Sequence, residues 1–586
     1  MDDFIAAYLA QGPAPSSRGS SAPDGPPGEV LVPGSRNTAF YNAHSYHTKV
    51  PPEAIRPFVE HFTKPGDVVL DPFCGSGMTG VAVAMAGRRA ILNDLSTAAV
   101  HLAWNHTRIC DGARLQDAFE RVAEAVEGDF ARYYRTQDED GQQATIRWTL
   151  WSTRHACPAC AKRFLLWDTV DRKSGRLTRE TECPACGHRA DRRRFEVVGN
   201  EPALVAFQRG DGSFGERPAN ARDHRDAKTL AKEPDSAAFP DVPLESDREM
   251  YHRCALHLQG VRSVRDMYTD RNRLALARLW EEILREDDER LRAALAFAFT
   301  NTAWHGTKMR RFNARGGHRP LTGTLYVPQL SSEVNVLQVM RRKIGQLRSY
   351  YRAFRPEGET APHISCGSAT DLNRVASGSV DYIFTDPPFG SNIFYADCNL
   401  IWESWLGRVT NQAQEAVVNR SLQATRGGKT LADYSSLMAG SLAEMARVLK
   451  PGGWATVVFH NTDKDVWRAI SEAARGAGFE FHEAASLDRK QQSHKGYKGR
   501  GGKENVAHFD VVMNLRKPEQ AKPVCAAPNR QFDLIRMVEE IRIEPAFADR
   551  GAQGVHAEIM RRLMSEGRTE FPDFHEVRSA LQQAAA

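Results

Sequence analysis

Three short peptides carry side chains whose types and spacing suit chemistry. The first is Asp386-Pro387-Pro388-Phe389. Its two prolines remove N–H donors and fix φ, which stiffens the loop and turns carbonyls outward. A carboxylate beside a rigid carbonyl can accept both hydrogens of an exocyclic amino group. That pulls the nitrogen lone pair out of conjugation with the ring that bears it. Phe389 offers a face on which a flipped-out base stacks. Catalysis of this kind is mostly positioning and electrostatics.

The second peptide is Asp71-Pro72-Phe73-Cys74-Gly75-Ser76-Gly77. A Gly-x-Gly loop between a strand and a helix turns backbone N–H groups and a helix N-terminus toward a ligand. Asp71, at the strand end, is placed to meet an ammonium group. Asp94 lies 17 residues after Gly77, at the end of the next strand, where an acid suits ribose hydroxyls. Gly80 does not have the spacing of the third glycine of a dinucleotide fingerprint. These features favour S-adenosylmethionine over a nicotinamide cofactor.

The third set is Cys157-Pro-Ala-Cys160 and Cys183-Pro-Ala-Cys186, separated by 22 residues. Each C-x-x-C supplies two thiolates from one tight turn. Two such turns make a tetrahedral four-sulfur site, best suited to zinc. Four thiolates close the shell, so the expected role is structural. His155 and His188 stand nearby as substitute ligands, and a thioredoxin-like redox pair is the competing reading.

The elements that must position these residues follow from pattern. Residues 51–62 space apolar side chains as an amphipathic helix with Pro at its start. Val68-Val69-Leu70 and Ala90-Ile91-Leu92 read as buried strands, with a small-residue helix from Met78 to Ala86 between them. The next comparable strands are near His363-Ile364 and at Val380–Thr385, Trp454–Phe459 and Phe509–Leu515. Helices are expected at Tyr434–Val448 and 465–475. The fold class is therefore α/β, a doubly wound sheet split by a long insertion. Within the insertion, helical patterns occupy about 112–134, 271–304 and 331–354, and a polar, loop-rich stretch is expected at 199–248. The expected organisation is a disordered leader (1–35), a first half-domain (36–110) and an insertion (111–355) with the ribbon at 150–195. A second half-domain (356–520) and a small helical appendage (521–586) complete it. The leader holds 6 Pro, 5 Gly and 5 Ser, a composition unable to build a core.

Taken together, D-P-F-C-G-S-G (71–77), N-D (93–94), D-P-P-F (386–389) and L-K-P-G-G (449–453) resemble the amino-group DNA methyltransferases, which methylate the exocyclic nitrogen of adenine or cytosine. His47-Thr48-Lys49-Val50-Pro51-Pro52 is similar to the segment these enzymes place before the glycine loop. The resemblance implies a Rossmann-like methyltransferase sheet. It implies cofactor contacts from Lys49, Asp71, Phe73, Gly75, Gly77 and Asp94, and base contacts from Asp386, Pro387, Pro388 and Phe389. Gly367-Ser368-Ala369-Thr370-Asp371-Leu372 is similar to the family's segment near the cofactor's adenine ring, with Ser368 in place of the usual acid. The glycine loop precedes the tetrad here, unlike the subgroup whose local sequence is most similar. In this family Asp-Pro-Pro with an aromatic is more typical of adenine and Ser-Pro-Pro of cytosine, so adenine N6 is the expected target. The insertion and its cysteines resemble those of adenine-specific methylases with a zinc ribbon. The implied partner is double-stranded DNA with the target base flipped out, in a cytoplasmic, nucleoid-associated modification or phage-defence setting that can include companion subunits. RNA base methylation, cytosine-N4 methylation and a non-enzymatic zinc-ribbon binder are the alternatives.

The 586 residues carry 78 Lys+Arg against 73 Asp+Glu, a net charge of only +5. The sum conceals segregation. Residues 151–195 hold 11 Lys/Arg against 5 acids, and residues 301–320 and 489–503 hold five and six with no acids. Such patches suit phosphates and are expected to gather on one face. Mean hydropathy is -0.50 and no apolar run reaches a membrane-spanning length. Ten cysteines without an export signal read as reduced thiols. Gly428-Lys429-Thr430 lacks the Walker spacing, and no nuclease or helicase signature is present.

Overall fold

The computed structural model describes residue 25 and residues 38–170, 177–314, 316–358, 361–459, 461, 463–488, 509–520, 533–544, 551–566, 568 and 570–584. The expected leader and the basic stretch 489–503 lie outside the described residues.

The main sheet has seven strands: β1 (Val68–Asp71), β2 (Arg89–Asp94), β3 (His363–Cys366), β4 (Val380–Thr385), β5 (Leu449–Phe459), β6 (Glu480–Asp488) and β7 (Phe509–Arg516). Their spatial order is β3-β2-β1-β4-β5-β7-β6. β3 through β5 run parallel, and β7 is antiparallel to both β5 and β6. β1 and β4 consist entirely of buried residues, as strands covered by helices on both faces must. This is a doubly wound, Rossmann-like α/β sheet. Its strand order reverses at β1, which pairs with β2 on one side and β4 on the other. Ligands of open α/β sheets bind outside the strand ends at such a switch point.

Helices Pro52–Phe62, Met78–Met85 and Thr97–His106 flank β1 and β2. The first starts at a proline and carries Glu53 in its first turn, both favourable at an N-terminus. Lys450 of the L-K-P-G-G segment pairs with Asp381 at 2.7 Å, and Asp381 also accepts the Val68 N–H at 2.8 Å. One ion pair thus joins β5, β4 and β1 at their entry ends.

The insertion contains more β-structure than its sequence suggests. Residues 199–248 were expected to be loop-rich. Instead they contain most of the long strand Glu196–Arg209, then strand Phe214–Pro218 and helix Ala221–Leu230. Glu196–Arg209 pairs antiparallel with Gln143–Ala156, and Leu330–Val334 pairs with the other edge of that strand. Register shifts near Trp148, Trp151 and His155 accommodate Pro202, which sits opposite Trp151. Bulges of this kind break strict alternation and hide the strands from a period-two reading. The 112–134 pattern resolves into two helices that meet at Val126, where ψ is 0°. The 331–354 pattern begins as the strand Leu330–Val334 and becomes helical at Val336.

One apolar cluster joins the sheet to the insertion. It includes Ile55, Val81 and Leu102, the insertion residues Leu276, Trp280 and Phe299, and Trp402 and Trp405 from helix Leu400–Leu406. A second cluster fills the other face with Val68, Ile383, Leu442 and Ile470, and reaches Val538, Ile559 and Val577 of the C-terminal helices. No helix among the described residues is long and apolar enough to cross a membrane.

Candidate active site and metal centre

β1 and β4 end side by side, with Leu70 opposite Ile383. The glycine loop leaves β1 and the D-P-P-F loop leaves β4, so more than three hundred residues of separation close to one hydrogen bond. Thr385 Oγ1 donates to Asp71 Oδ1 at 2.8 Å. Asp71 also accepts from Phe73 N–H at 3.1 Å and from Thr79 Oγ1 at 2.6 Å. The expectation of a charge aimed at an ammonium group therefore needs refinement. The carboxylate is buried and braces the loop with three donors, while burial pushes its pKa up to about 6. Gly77 adopts φ +80°, and a Cβ there would lie 2.5 Å from the Ala103 backbone. A Cβ on Gly80 would lie 2.6 Å from Leu92 Cδ1. Gly80 thus performs the close helix–strand packing of a third fingerprint glycine despite its different spacing.

Asp94 ends β2. Its Oδ2 accepts Gly75 N–H at 2.8 Å and its Oδ1 accepts Ser96 N–H at 2.9 Å. Each oxygen keeps a lone pair for a further donor. Burial pushes this carboxyl up to about 7, against the pull of those two N–H groups. Lys49 Nζ donates to the carbonyls of His44 (2.6 Å) and Tyr41 (3.3 Å), and burial with Lys343 nearby lowers its pKa to about 7. Ser368 Oγ lies 2.8 Å from Thr370 Oγ1 and accepts the Thr370 N–H at 3.2 Å.

These groups wall a pocket of about 970 Å³ that opens to solvent. Lys49, Asp71, Phe73, Gly75, Asp94, Ser368, Asp386 and Pro388 all line it. Gly77 does not, being committed to Ala103. Pro387 is buried, and Phe389 packs edge-on against Phe459 with centroids 5.3 Å apart. Tyr434 OH donates to the Pro388 carbonyl and Asn461 Nδ2 to the Phe389 carbonyl, both at 2.9 Å. The Pro387 carbonyl accepts no hydrogen bond among the described residues. The tetrad is therefore a fixed loop in which Asp386 and Pro388 line the cavity, Pro387 and Phe389 are not among the lining residues, and the Pro387 carbonyl is unengaged among the described residues.

Several pocket residues carry no sequence motif. Tyr46 stacks on Tyr395 and Trp402 at 6.1 and 6.2 Å, and Thr48 Oγ1 lies 3.0 Å from Tyr395 OH. Tyr395, whose phenol is held neutral by burial and by Asp386, begins a short helical segment after the tetrad. Ser96 Oγ donates to Glu403 Oε1 at 2.5 Å, and Glu403 Oε2 accepts Thr410 N–H at 2.8 Å. Residues Thr410–Ala416 thereby reach the pocket, and burial pushes the carboxyl of Glu415 in its wall up to about 7. Only the aromatic, apolar character of 391–406 hinted that this stretch is core.

The four ribbon cysteines meet. Their sulfurs all lie within 4.8 Å of one another, with Cys157–Cys186 at 3.7 Å and Cys160–Cys183 at 3.8 Å. A tetrahedral thiolate site with Zn–S near 2.3 Å requires S···S separations of about 3.8 Å, so the donor set fits zinc. The knuckles repeat one geometry. Ala161 N–H bonds Cys157 O and Gly187 N–H bonds Cys183 O, both at 2.9 Å, and both residues have positive φ. His155 is buried and bonds Thr153 and Phe195, so it is no substitute ligand.

A family model described as DNA methylase matches residues 17–105. The chain is 46% identical over 52 residues to YubD of Escherichia coli (strain K12), a match covering 9% of this chain and 23% of that protein. It is 43% identical over 61 residues to the type II methyltransferase M.XycI of Xanthomonas campestris pv. cyanopsidis, 10% of this chain and 20% of the relative. The chain thus spans about a fifth of the length of the relatives it matches. Among solved structures it is similar to the DNA modification methylase TTHA0409 of Thermus thermophilus, complexed with S-adenosyl-L-methionine. That match has 14% identity and a TM-score of 0.16, covering 30% of this chain and 57% of the other.

Proposed function

We propose that this chain, whose residues 17–105 match a family model described as DNA methylase, methylates the exocyclic amino group of a flipped-out DNA base, adenine N6 foremost. The observation that carries the reading is the shared pocket. The glycine loop and the D-P-P-F loop leave adjacent strands and wall one cavity, tied by Thr385 and Asp71.

S-adenosylmethionine, when bound, supplies an electrophilic sulfonium methyl. Asp94 is the residue to hold its ribose, Gly75 and Phe73 its methionine end, and Ser368 to Thr370 its adenine. Asp386 and the Pro387 carbonyl accept the two hydrogens of the base's amino group, which localises the nitrogen lone pair for attack. As the nitrogen would bond the methyl carbon, the carbon–sulfur bond would break to leave a neutral thioether, and the nitrogen would pass its extra proton to the Asp386 carboxylate and from there to solvent. Phe389, braced by Phe459, is the ring for the base to stack on, and Tyr395 lines the pocket on the Asp386 side. Preorganisation supplies the rate, since Tyr434 and Asn461 already fix the loop before substrate arrives. The four cysteines hold a structural zinc ion. The type II methyltransferase relatives support a restriction-modification setting, with phage defence, a cytoplasmic nucleoid location and companion subunits as its extensions.

The test is mass spectrometry of nucleosides from DNA and RNA incubated with the protein and methyl-labelled cofactor. Label in N6-methyl-2′-deoxyadenosine from DNA is the expected result. Label on cytosine N4 replaces the target, and label in RNA alone overturns the reading.

A further inference from the structure

The insertion carries a long β arm. Gln143–Ala156 and Glu196–Arg209 are 14 residues each and pair along their length. At one end Ile146 and Phe207 are rooted in the main core. At the other, Ala156 and Glu196 lead into the ribbon, whose own cluster is Cys157, Phe164, Cys183 and Phe195.

A second segment connects this arm to the active site. Gln329 O accepts Thr153 N–H at 3.0 Å and Leu330 pairs with Ser152, close to the ribbon end. Six residues earlier, Gly323 N–H donates to His47 Nδ1 at 3.0 Å, and a Cβ on Gly323 would lie 3.6 Å from Ile393. His47 precedes the pocket residue Thr48, and Ile393 lies between Pro388 and Tyr395, so Gly323 sits between two segments that wall the pocket. A chain extends at most about 3.5 Å per residue. The cysteine cluster therefore lies no more than roughly 40 Å from the pocket rim, within about one turn of B-DNA at about 35 Å.

The charge along this path is unbalanced. Arg311 and Arg319 face each other in an antiparallel bridge, both exposed. Like charges directly opposite are destabilising unless something neutralises them. Arg147, Arg310 and Arg342 lie close by, and burial together with Arg342 lowers the Arg310 guanidinium to about 10. None of these five forms an ion pair among the described residues, although the insertion elsewhere is rich in them. On the ribbon, Arg179 and Arg189 are paired with Asp191 and Glu182. Lys162, Arg163, Arg193 and Arg194 are exposed and have no carboxylate partner among the described residues.

We propose that the arginine cluster, which Arg311 ties to the arm through its bridge to Ser331, and the uncommitted basic side chains of the ribbon form one phosphate track, which holds the duplex on one side of the target base for up to about a helical turn. The inference rests on the DNA reading above and adds where the duplex lies and what grips it. Two arginines held side by side without acids are complementary to a row of phosphates. The ribbon, at the far end of the same arm, stays within about one turn of the duplex and can add its cations to that row.

The test uses the full chain with zinc bound. Two variants, R311E/R319E and K162E/R163E/R193E/R194E, are measured for duplex binding by fluorescence anisotropy across a salt series. Each is expected to lose at least tenfold affinity at physiological salt. The slope of log K against log[salt] should fall by about 0.9 for each phosphate no longer neutralised. Zinc content and cofactor affinity should be unchanged, which separates a weakened grip on phosphate from misfolding, and R311Q/R319Q should show an intermediate loss of affinity. A substrate ladder gives a second reading on the unaltered protein. Lengthening the flank on one side should lower KM until about ten base pairs and not beyond. Wild-type duplex affinity in both charge-reversal variants overturns the track, as does a ladder that levels off within the first few base pairs, or equal affinity for duplex RNA. Absence of methyl transfer to every DNA tested would defeat the methylase reading alone. The binding series needs no methyl transfer and would still decide the track.

Discussion

Asp386 is the residue whose loss should separate binding from chemistry. Its carboxylate follows the buried strand β4, while Asp71 and Asp94, the acids proposed to face the cofactor, end β1 and β2. Asp386→Ala is expected to lower turnover by about three orders of magnitude or more, with cofactor affinity within about twofold of wild type. Single-turnover methyl transfer and equilibrium cofactor binding check the two halves, and substantial turnover in the variant would sink the assignment. Asp94 gives a pH prediction with a definite sign. Its carboxyl titrates near 7 in the ligand-free pocket because burial disfavours the charge. Ribose hydroxyls donate to the ionised form and so favour it. Binding therefore expels a proton, and affinity should fall as pH drops through 7, by up to about tenfold per unit. Asp71 and Lys49 titrate in the same pocket, near 6 and 7, so the diagnostic quantity is the difference between wild type and Asp94→Asn. Calorimetry from pH 6 to 8.5 supplies it, and identical profiles for the two proteins would count against the role. These positions were legible in the sequence because each motif is local, a strand end followed by a turn of fixed chemistry. Tyr46, Tyr395, Glu403 and Glu415 were not, since they converge only through tertiary packing and belong to no short pattern.

Among elements, the parallel strands were the easiest to read. Val68–Leu70 and Val380–Thr385 are continuous apolar runs because both faces are covered. The arm strands were hidden by Gly199, Pro202 and three register shifts, and β6 by its polar composition at the sheet edge. The metal knuckles were legible because ligand spacing survives any uncertainty about the strands that carry them. Their energetics should be local. Among the described residues the ribbon cluster buries only Cys157, Phe164, Cys183 and Phe195, too few to order without the metal. Cys157→Ser with Cys160→Ser is expected to abolish zinc binding and to expose residues 157–195 to protease. The cofactor pocket, which draws on a different cluster, should keep its affinity. Metal analysis and limited proteolysis test this, and unchanged zinc content would refute the tetrathiolate site.

At the scale of the whole molecule, the insertion and the sheet cannot be independent folding units, although the sequence reads as one domain interrupted by another. Trp405 comes from the stretch after the catalytic tetrad and is fully buried. Its ring makes edge contacts with Phe239 at 5.1 Å and Phe299 at 4.9 Å, and its Nε1–H donates to Tyr268 OH at 3.3 Å. All three partners belong to the insertion. Trp402, one turn away, stacks on His47 at 5.2 Å and on Tyr46, beside the cofactor pocket. The same short helix therefore carries packing from the insertion's core to the wall of the active site. Trp405→Ala removes a large buried ring and leaves the Tyr268 hydroxyl without that partner. A loss of about 3–5 kcal/mol is expected, borne by the whole core rather than by one half. Calorimetry should show one main transition for the wild type, shifted down in the variant, with cofactor binding lost along the same curve. A variant in which the insertion melts first while the pocket still binds cofactor would show instead that the two halves are separable. The geometry argues against that outcome, because no cut between them avoids the cluster shared by Ile55, Trp280, Phe299 and Trp405.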